Sequence, residues 1–155
     1  VLTKNTSHFS NIQLHNEAAW TSQAKLNFFR GDVDGGSLVK STSNPTSVNA
    51  INFKVFLEKF EEIDFLKIDI EGAEEFLIPH IALELRKVNN LFIEYHHWEA
   101  EKQQGLSNIL VCLEKSGFRY TLERIYKSKA PIIELEKGTP VQINIFCSRM
   151  SECIH

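Results

Sequence analysis

The sequence predicts an α/β fold: parallel strands joined by a helix, then an antiparallel pair at the C-terminal end of a mixed sheet. Three observations carry this. Residues 63–70 are an apolar, β-favouring run that meets Gly72 and then an acid-headed helix start, Ala73-Glu74-Glu75, where the helix dipole favours negative charge. A second apolar run, Leu91 to His97, follows one helical stretch later, and strand–helix–strand of this length is a crossover unit with adjacent parallel strands. The last two strand-like segments, Phe118 to Ile125 and Val141 to Cys147, have no helical pattern between them, so they pair antiparallel.

The other elements follow in order. Residues 1–10 read as a helix end or lead-in loop, polar apart from Leu2 and Phe9. Asn11 to His15 alternates and predicts a short strand closing at Asn16-Glu17-Ala18-Ala19-Trp20, and Ala24 to Arg30 predicts a second strand. Residues 31–47 are rich in Gly, Ser, Thr, Asn and Asp, which marks a long surface loop. Val48 to Phe53 alternates as a strand, and Val55, Phe56 and Phe60 suggest a short helix feeding the central strand. Pro79 disfavours helix at Ile78, so the helix after Gly72 is expected to break there, with a second short helix over His80 to Lys87. Leu106, Ile109, Leu110 and Leu113 mark an amphipathic helix that Gly117 ends.

Composition narrows the function classes. A chain of 155 residues, 43% hydrophobic with 11 Phe, is one globular domain with a sizeable core. Net charge is −3 with both signs interspersed and no basic block, so nucleic acid is not an expected partner. Cys112, Cys147 and Cys153 have no metal-like spacing, which predicts a reduced, cytoplasmic protein. No apolar run approaches the ~20 residues that span a bilayer, and Val1-Leu2-Thr3-Lys4-Asn5 lacks the apolar core of a signal peptide, so no membrane association is expected.

Alternation in the central strand puts Phe65, Lys67 and Asp69 on one face and Leu66, Ile68 and Ile70 on the other. In the next strand Phe92, Glu94 and His96 share a face. A strand covered on both faces would bury Lys67 and Glu94, and buried charge must be paired, so these two are expected to pair with each other or to line a polar cleft. Asp69 and Glu71 fall at the carboxyl end of the strand, where open α/β sheets bind ligands. Lys67, Asp69, Glu71, Glu94 and His96 together suit an acid/base site, a cationic or hydroxylated ligand, or a metal. The competing structural readings are an ion pair, a turn acceptor at Asp69, a helix-start carboxylate at Glu71 and a satisfied cleft histidine. Asp32-Val33-Asp34 mimics a metal-binding DxD but sits in a soft loop, and Gly35-Gly36 follows no strand, so it is no phosphate loop.

The string Leu66-Lys67-Ile68-Asp69-Ile70-Glu71-Gly72-Ala73-Glu74, followed by Leu91-Phe92-Ile93-Glu94-Tyr95-His96, resembles the FkbM family of S-adenosylmethionine-dependent methyltransferases. Asn11-Ile12 through Asn16-Glu17-Ala18, Gly117-Phe118 and Asn144-Ile145-Phe146 are similar to the same family in the same order. The resemblance implies a Rossmann-like class I methyltransferase, with a doubly wound mixed sheet and a terminal antiparallel pair. The family opens with a strand, a Gly-rich cofactor turn and a second strand. This chain has no Gly-x-Gly, and on its motifs it starts in the helix after that second strand. A single, partial methyltransferase domain over 1–155 is therefore expected, missing its first two strands. The open sheet edge that this leaves is expected to recruit a partner or a second copy.

By resemblance, the cofactor is S-adenosylmethionine and the acceptor a hydroxyl on a small molecule or glycan, such as a sugar or secondary metabolite. Asp69 and Glu71 suit the sulfonium and ammonium of the cofactor, and Asn16, Glu17 and Ala18 follow the strand that lies beside its adenine. His96 is the natural general base, with an ordinary pKa near 6.5, and Glu94 would orient it or bind hydroxyls. Two other classes stay open: a non-catalytic interaction module, and a metal-dependent sugar-modifying enzyme using Asp69, Glu71 and His96 as ligands.

Overall fold

The computed structural model describes residues 2–30, 36–37, 46–97, 104–125, 129 and 141–149. The Asp32-Val33-Asp34 motif, most of residues 126–138, where a loop with Pro131 is expected from the sequence, and Cys153 lie outside the described residues. Twelve elements follow one another: α1 (Leu2–Thr6), β1 (Ala18–Trp20), β2 (Ala24–Arg30), β3 (Gly36–Ser37), β4 (Thr46–Asn52), α2 (Phe53–Leu57), β5 (Ile63–Ile68), α3 (Glu74–His80), β6 (Val88–His97), α4 (Gln104–Lys115), β7 (Phe118–Arg124) and β8 (Val141–Arg149). A 3₁₀ turn, Glu84–Lys87, separates α3 from β6.

The strands form two four-stranded sheets, ordered β1-β4-β2-β3 and β5-β6-β8-β7. In the second, β5 and β6 are parallel, with Leu66 opposite Leu91 and Ile68 opposite Ile93. β8 then runs antiparallel between β6 and β7. The expected parallel pair and terminal antiparallel pair are both present, on the expected sides. The chain is a mixed α/β structure with mixed sheets, compatible with a methyltransferase fold.

One face of this sheet makes the core. Ile68, Leu91, Ile93, Tyr95, Ile145, Cys147 and Phe118 meet Leu77 and Ile78 from α3, Ile81 just after it, and Ile109 and Leu113 from α4. Gly105 allows the close approach of the two helices, because a Cβ there would collide with the Glu75 side chain and crowd the Tyr95 hydroxyl at 3.1 Å. Gly117, at φ +84°, turns the chain out of α4 into β7 as expected. Burial pushes the Cys147 thiol up to about 12, so it stays a protonated, hydrophobic member of the core.

Four expectations need correction. Asn11–His15 forms no strand: Ile12 and Leu14 are exposed, and the strand comes later at β1, where Ala18 and Ala19 pair with Ala50 and Ile51 of β4. Helix α3 runs through Pro79 rather than breaking before it. Proline costs a helix the bond to the residue four back, but here only His80 follows, so a single bond near the end is lost. Strand β5 ends at Ile68 rather than Ile70, because Glu71 and Gly72 both adopt positive φ. Finally, β5 is covered on one face only: Phe65 is 62% exposed and the Lys67 side chain 53%. Among the described residues no strand pairs with the outer edge of β5. The open face, with Phe65, Phe92 and Phe146, borders a hollow of about 480 Å³.

Arg149 anchors the opposite end of the sheet. Its guanidinium donates to the carbonyls of Val88 (2.7 Å), Ser116 (2.8 Å) and Leu85, and lies 4.7 Å over the Phe118 ring. These carbonyls lie where α4, the 3₁₀ turn and the start of β6 meet. A lysine has no planar fork to reach all three. Arg149→Lys is expected to lower stability by about 1 kcal/mol, read by urea unfolding. An unchanged midpoint would remove the guanidinium from this role.

Candidate functional site

The site grows from the turn between β5 and α3. After Ile68 the chain passes Asp69 and Ile70, then reverses through Glu71 (φ +55°) and Gly72 (φ +95°). Two consecutive left-handed residues, one of them not glycine, hold strain of order 1–3 kcal/mol, and such strain clusters at ligand sites. The clamp on the turn is Glu74, the first residue of α3. Its Oε1 accepts from the Ile70 N–H at 3.0 Å and its Oε2 from the Gly72 N–H at 2.9 Å. Ala73, at the N-cap position, offers no side-chain bond, and Glu74 reaches back past it to the N–H groups of the turn.

Glu74 is 0% exposed. A carboxylate taken wholly out of water needs every lone pair engaged. A third partner comes from β6: His96 Nδ1 lies 3.4 Å from Glu74 Oε1. His96 is itself 7% exposed, and its Nε2 faces Glu71 Oε2 and Glu94 Oε1, each at 3.7 Å. From β8, where Gln142 sits opposite His96 in register, the Gln142 amide nitrogen reaches His96 Nε2 at 3.1 Å and also donates to Glu94 Oε1.

These contacts favour one arrangement of the imidazole protons. Glu94 Oε1 accepts from the NH₂ of Gln142, and that bond orients the amide. The same NH₂ faces His96 Nε2, which must then accept. On the other side Glu74 can only accept, so Nδ1 carries the proton. In that arrangement the neutral ring turns an unprotonated Nε2 toward Gln142, Glu71 and Glu94. Burial works against the imidazolium, but Glu74, Glu71 and Glu94 together outweigh it and raise the His96 pKa. Burial raises the Glu71 pKa, with His96 opposing.

Of the residues the sequence singles out, Glu71, Glu94 and His96 come together, with Asp69 beside them. Lys67 is corrected: it is exposed and pairs with Asp69 at 3.0 Å, not with Glu94. The hydrogen bond to Asp69 holds its pKa up. Asn16, Glu17 and Ala18 belong to the other sheet's first strand and its lead-in. Glu17 pairs with His15 at 4.0 Å and lines a separate cavity of about 550 Å³ with Asn52, Phe56 and Lys59. Neither Glu74 nor Gln142 was singled out. Glu74 had a signal: it sits at the head of the stripe Leu77, Ile78, Ile81 on the buried face of α3. Gln142 had none, because its place beside His96 depends on strand pairing.

For a metal, the side-chain ligand atoms of Asp69, Glu94 and His96 lie within 4.8 Å of one another, so the nearest set contains Glu94 rather than Glu71. Bonds of about 2.0–2.2 Å would require the three to draw together, with Lys67 leaving Asp69 and Gln142 leaving the others. No helix among the described residues is long and apolar enough to cross a membrane.

The comparisons agree with the motif. No curated protein and no solved structure gives a significant match to the chain. The family profile of the Methyltransferase FkbM domain matches residues 3–120, a span that takes in the whole β5–turn–α3 unit and His96. On that match and the acid-lined turn beside His96, the chain belongs to the FkbM methyltransferase family.

Proposed function

We propose that this chain is part of an S-adenosylmethionine-dependent O-methyltransferase, acting in the cytoplasm on a hydroxyl of a small-molecule or glycan acceptor, such as a sugar or secondary metabolite. The observation that carries the reading is the placement of His96 Nε2, 3.7 Å from both Glu94 and Glu71 and next to the strained turn. A hydroxyl is a poor nucleophile at neutral pH, and a positioned base removes its proton as the methyl group arrives. His96 fills that role, with Glu94 holding the acceptor.

The donor side fits a cation. Asp69 already holds an ammonium, that of Lys67, at 3.0 Å, and the same carboxylate suits the ammonium or sulfonium of the cofactor. When bound, S-adenosylmethionine supplies an electrophilic methyl group on a positive sulfur. Asp69 and Glu71 would hold it, while Glu17 lies in a cavity of its own and is the weaker assignment. An acceptor hydroxyl entering the site takes the place of the Gln142 NH₂ at His96 Nε2, one donor for another.

Calorimetry with S-adenosylmethionine, and transfer of a labelled methyl group to a panel of hydroxylated acceptors, tests the reading. Asp69→Asn should weaken cofactor binding by about tenfold, roughly one charge-assisted hydrogen bond. Normal binding in that variant would move the cofactor away from Asp69. Incorporation of label into a non-hydroxyl position would overturn the reaction class.

A further inference from the structure

The geometry points to Glu74 as a positioning residue: it holds His96 as the Nδ1–H tautomer and, through the Ile70 and Gly72 N–H groups, ties that ring to the turn on the donor side. This deepens the O-methyltransferase reading and rests on it only for the use to which His96 is put. One fully buried carboxylate serves both halves of the site, with three donors on two oxygens: Ile70 at 3.0 Å, Gly72 at 2.9 Å and His96 Nδ1 at 3.4 Å. A carboxylate on one ring nitrogen fixes which nitrogen stays bare, and it holds the ring's plane. The groups facing the ring are Glu74 from α3, Glu71 from the turn, Glu94 from its own strand and Gln142 from β8, with the Lys67–Asp69 pair alongside. Glu74 addresses Nδ1, whereas Glu71, Glu94 and Gln142 address Nε2. Anything that shifts the Ile70–Gly72 backbone therefore pulls on the oxygen that His96 uses, so donor-side occupancy and base orientation are coupled in both directions.

The tautomer is directly measurable by nitrogen-15 NMR of the imidazoles in the whole chain, with His96 identified by the signals that His96→Gln removes. Wild type is expected to show a protonated Nδ1 and a bare Nε2 in the neutral ring. Glu74→Gln keeps one oxygen to accept from the turn but offers an NH₂ as well, so the neutral ring is expected to shift toward the Nε2–H form. In transfer assays the variant should lose kcat while the acceptor KM stays near wild type. An Nε2–H ring in wild type overturns the assignment even if Glu74→Gln fails to fold. An unchanged tautomer in a folded Glu74→Gln overturns it too. The NMR needs neither cofactor nor acceptor. Failure of the tautomer with methyl transfer intact therefore refutes the positioning role alone, and a correct tautomer without transfer by the complete enzyme that carries this chain refutes the methyl-transfer reading.

Discussion

His96→Gln is expected to slow methyl transfer by about 10²–10⁴-fold while leaving S-adenosylmethionine affinity unchanged, the range for loss of a positioned general base. Glutamine keeps much of the ring's bulk and can still meet Glu74 and Gln142, so the loss reports proton removal rather than collapse. The pH dependence carries the same signature. In the proposed role the neutral ring is the active form; burial lowers its pKa, but the carboxylates of Glu74, Glu71 and Glu94 outweigh that and raise it. Transfer should therefore rise with pH through a midpoint above about 6.5, the ordinary value for histidine. Stability runs the other way. A group with a raised native pKa contributes stability fully present below its unfolded pKa, and that contribution fades as pH rises through the native one. Single-turnover rates between pH 5 and 9, with unfolding at the ends of that range, check both signs. A wild-type rate in His96→Gln, or a rate that falls across this interval, would remove His96 from proton transfer.

The second large effect concerns the turn. Gly72→Val should cost about 2–3 kcal/mol, because φ of +95° is hostile to a β-branched side chain. Its N–H must also stay aimed at Glu74 for the clamp to hold. Glu71→Gly is the opposite experiment. It removes a side chain from a left-handed position at φ +55°, so stability should stay level or rise by up to about 1 kcal/mol, while the carboxylate beside His96 is lost. Denaturant midpoints for both, set against cofactor binding, show whether the strain serves ligand contact. If Gly72→Val unfolds at the wild-type midpoint, the turn is not held in the conformation described. If Glu71→Gly keeps full cofactor affinity, Glu71 does not face the donor.

Sequence alone determined the frame of the C-terminal sheet. Two apolar runs joined by a helix pair in parallel, and two strands without a helix between them pair antiparallel; β5–β6 and β7–β8 follow those rules. It also placed Asp69, Glu71, Glu94 and His96 at strand ends, since period-two alternation decides which residues share a face. The family motif was legible too, because a strand, turn and helix start are local. What local rules decided poorly was coverage. The outer face of β5 lies open, and that freed Lys67 to pair with Asp69 two residues on instead of reaching Glu94. The Asn11–His15 alternation resembles a strand, but a strand forms only where a partner lies alongside, and β4 runs beside Ala18–Trp20 instead. The environment of the His96 ring lay furthest from the sequence. It depends on Glu74, 22 residues earlier, and Gln142, 46 residues later, meeting opposite nitrogens of one ring, and only the folded β6–β8 register and the buried head of α3 bring them there.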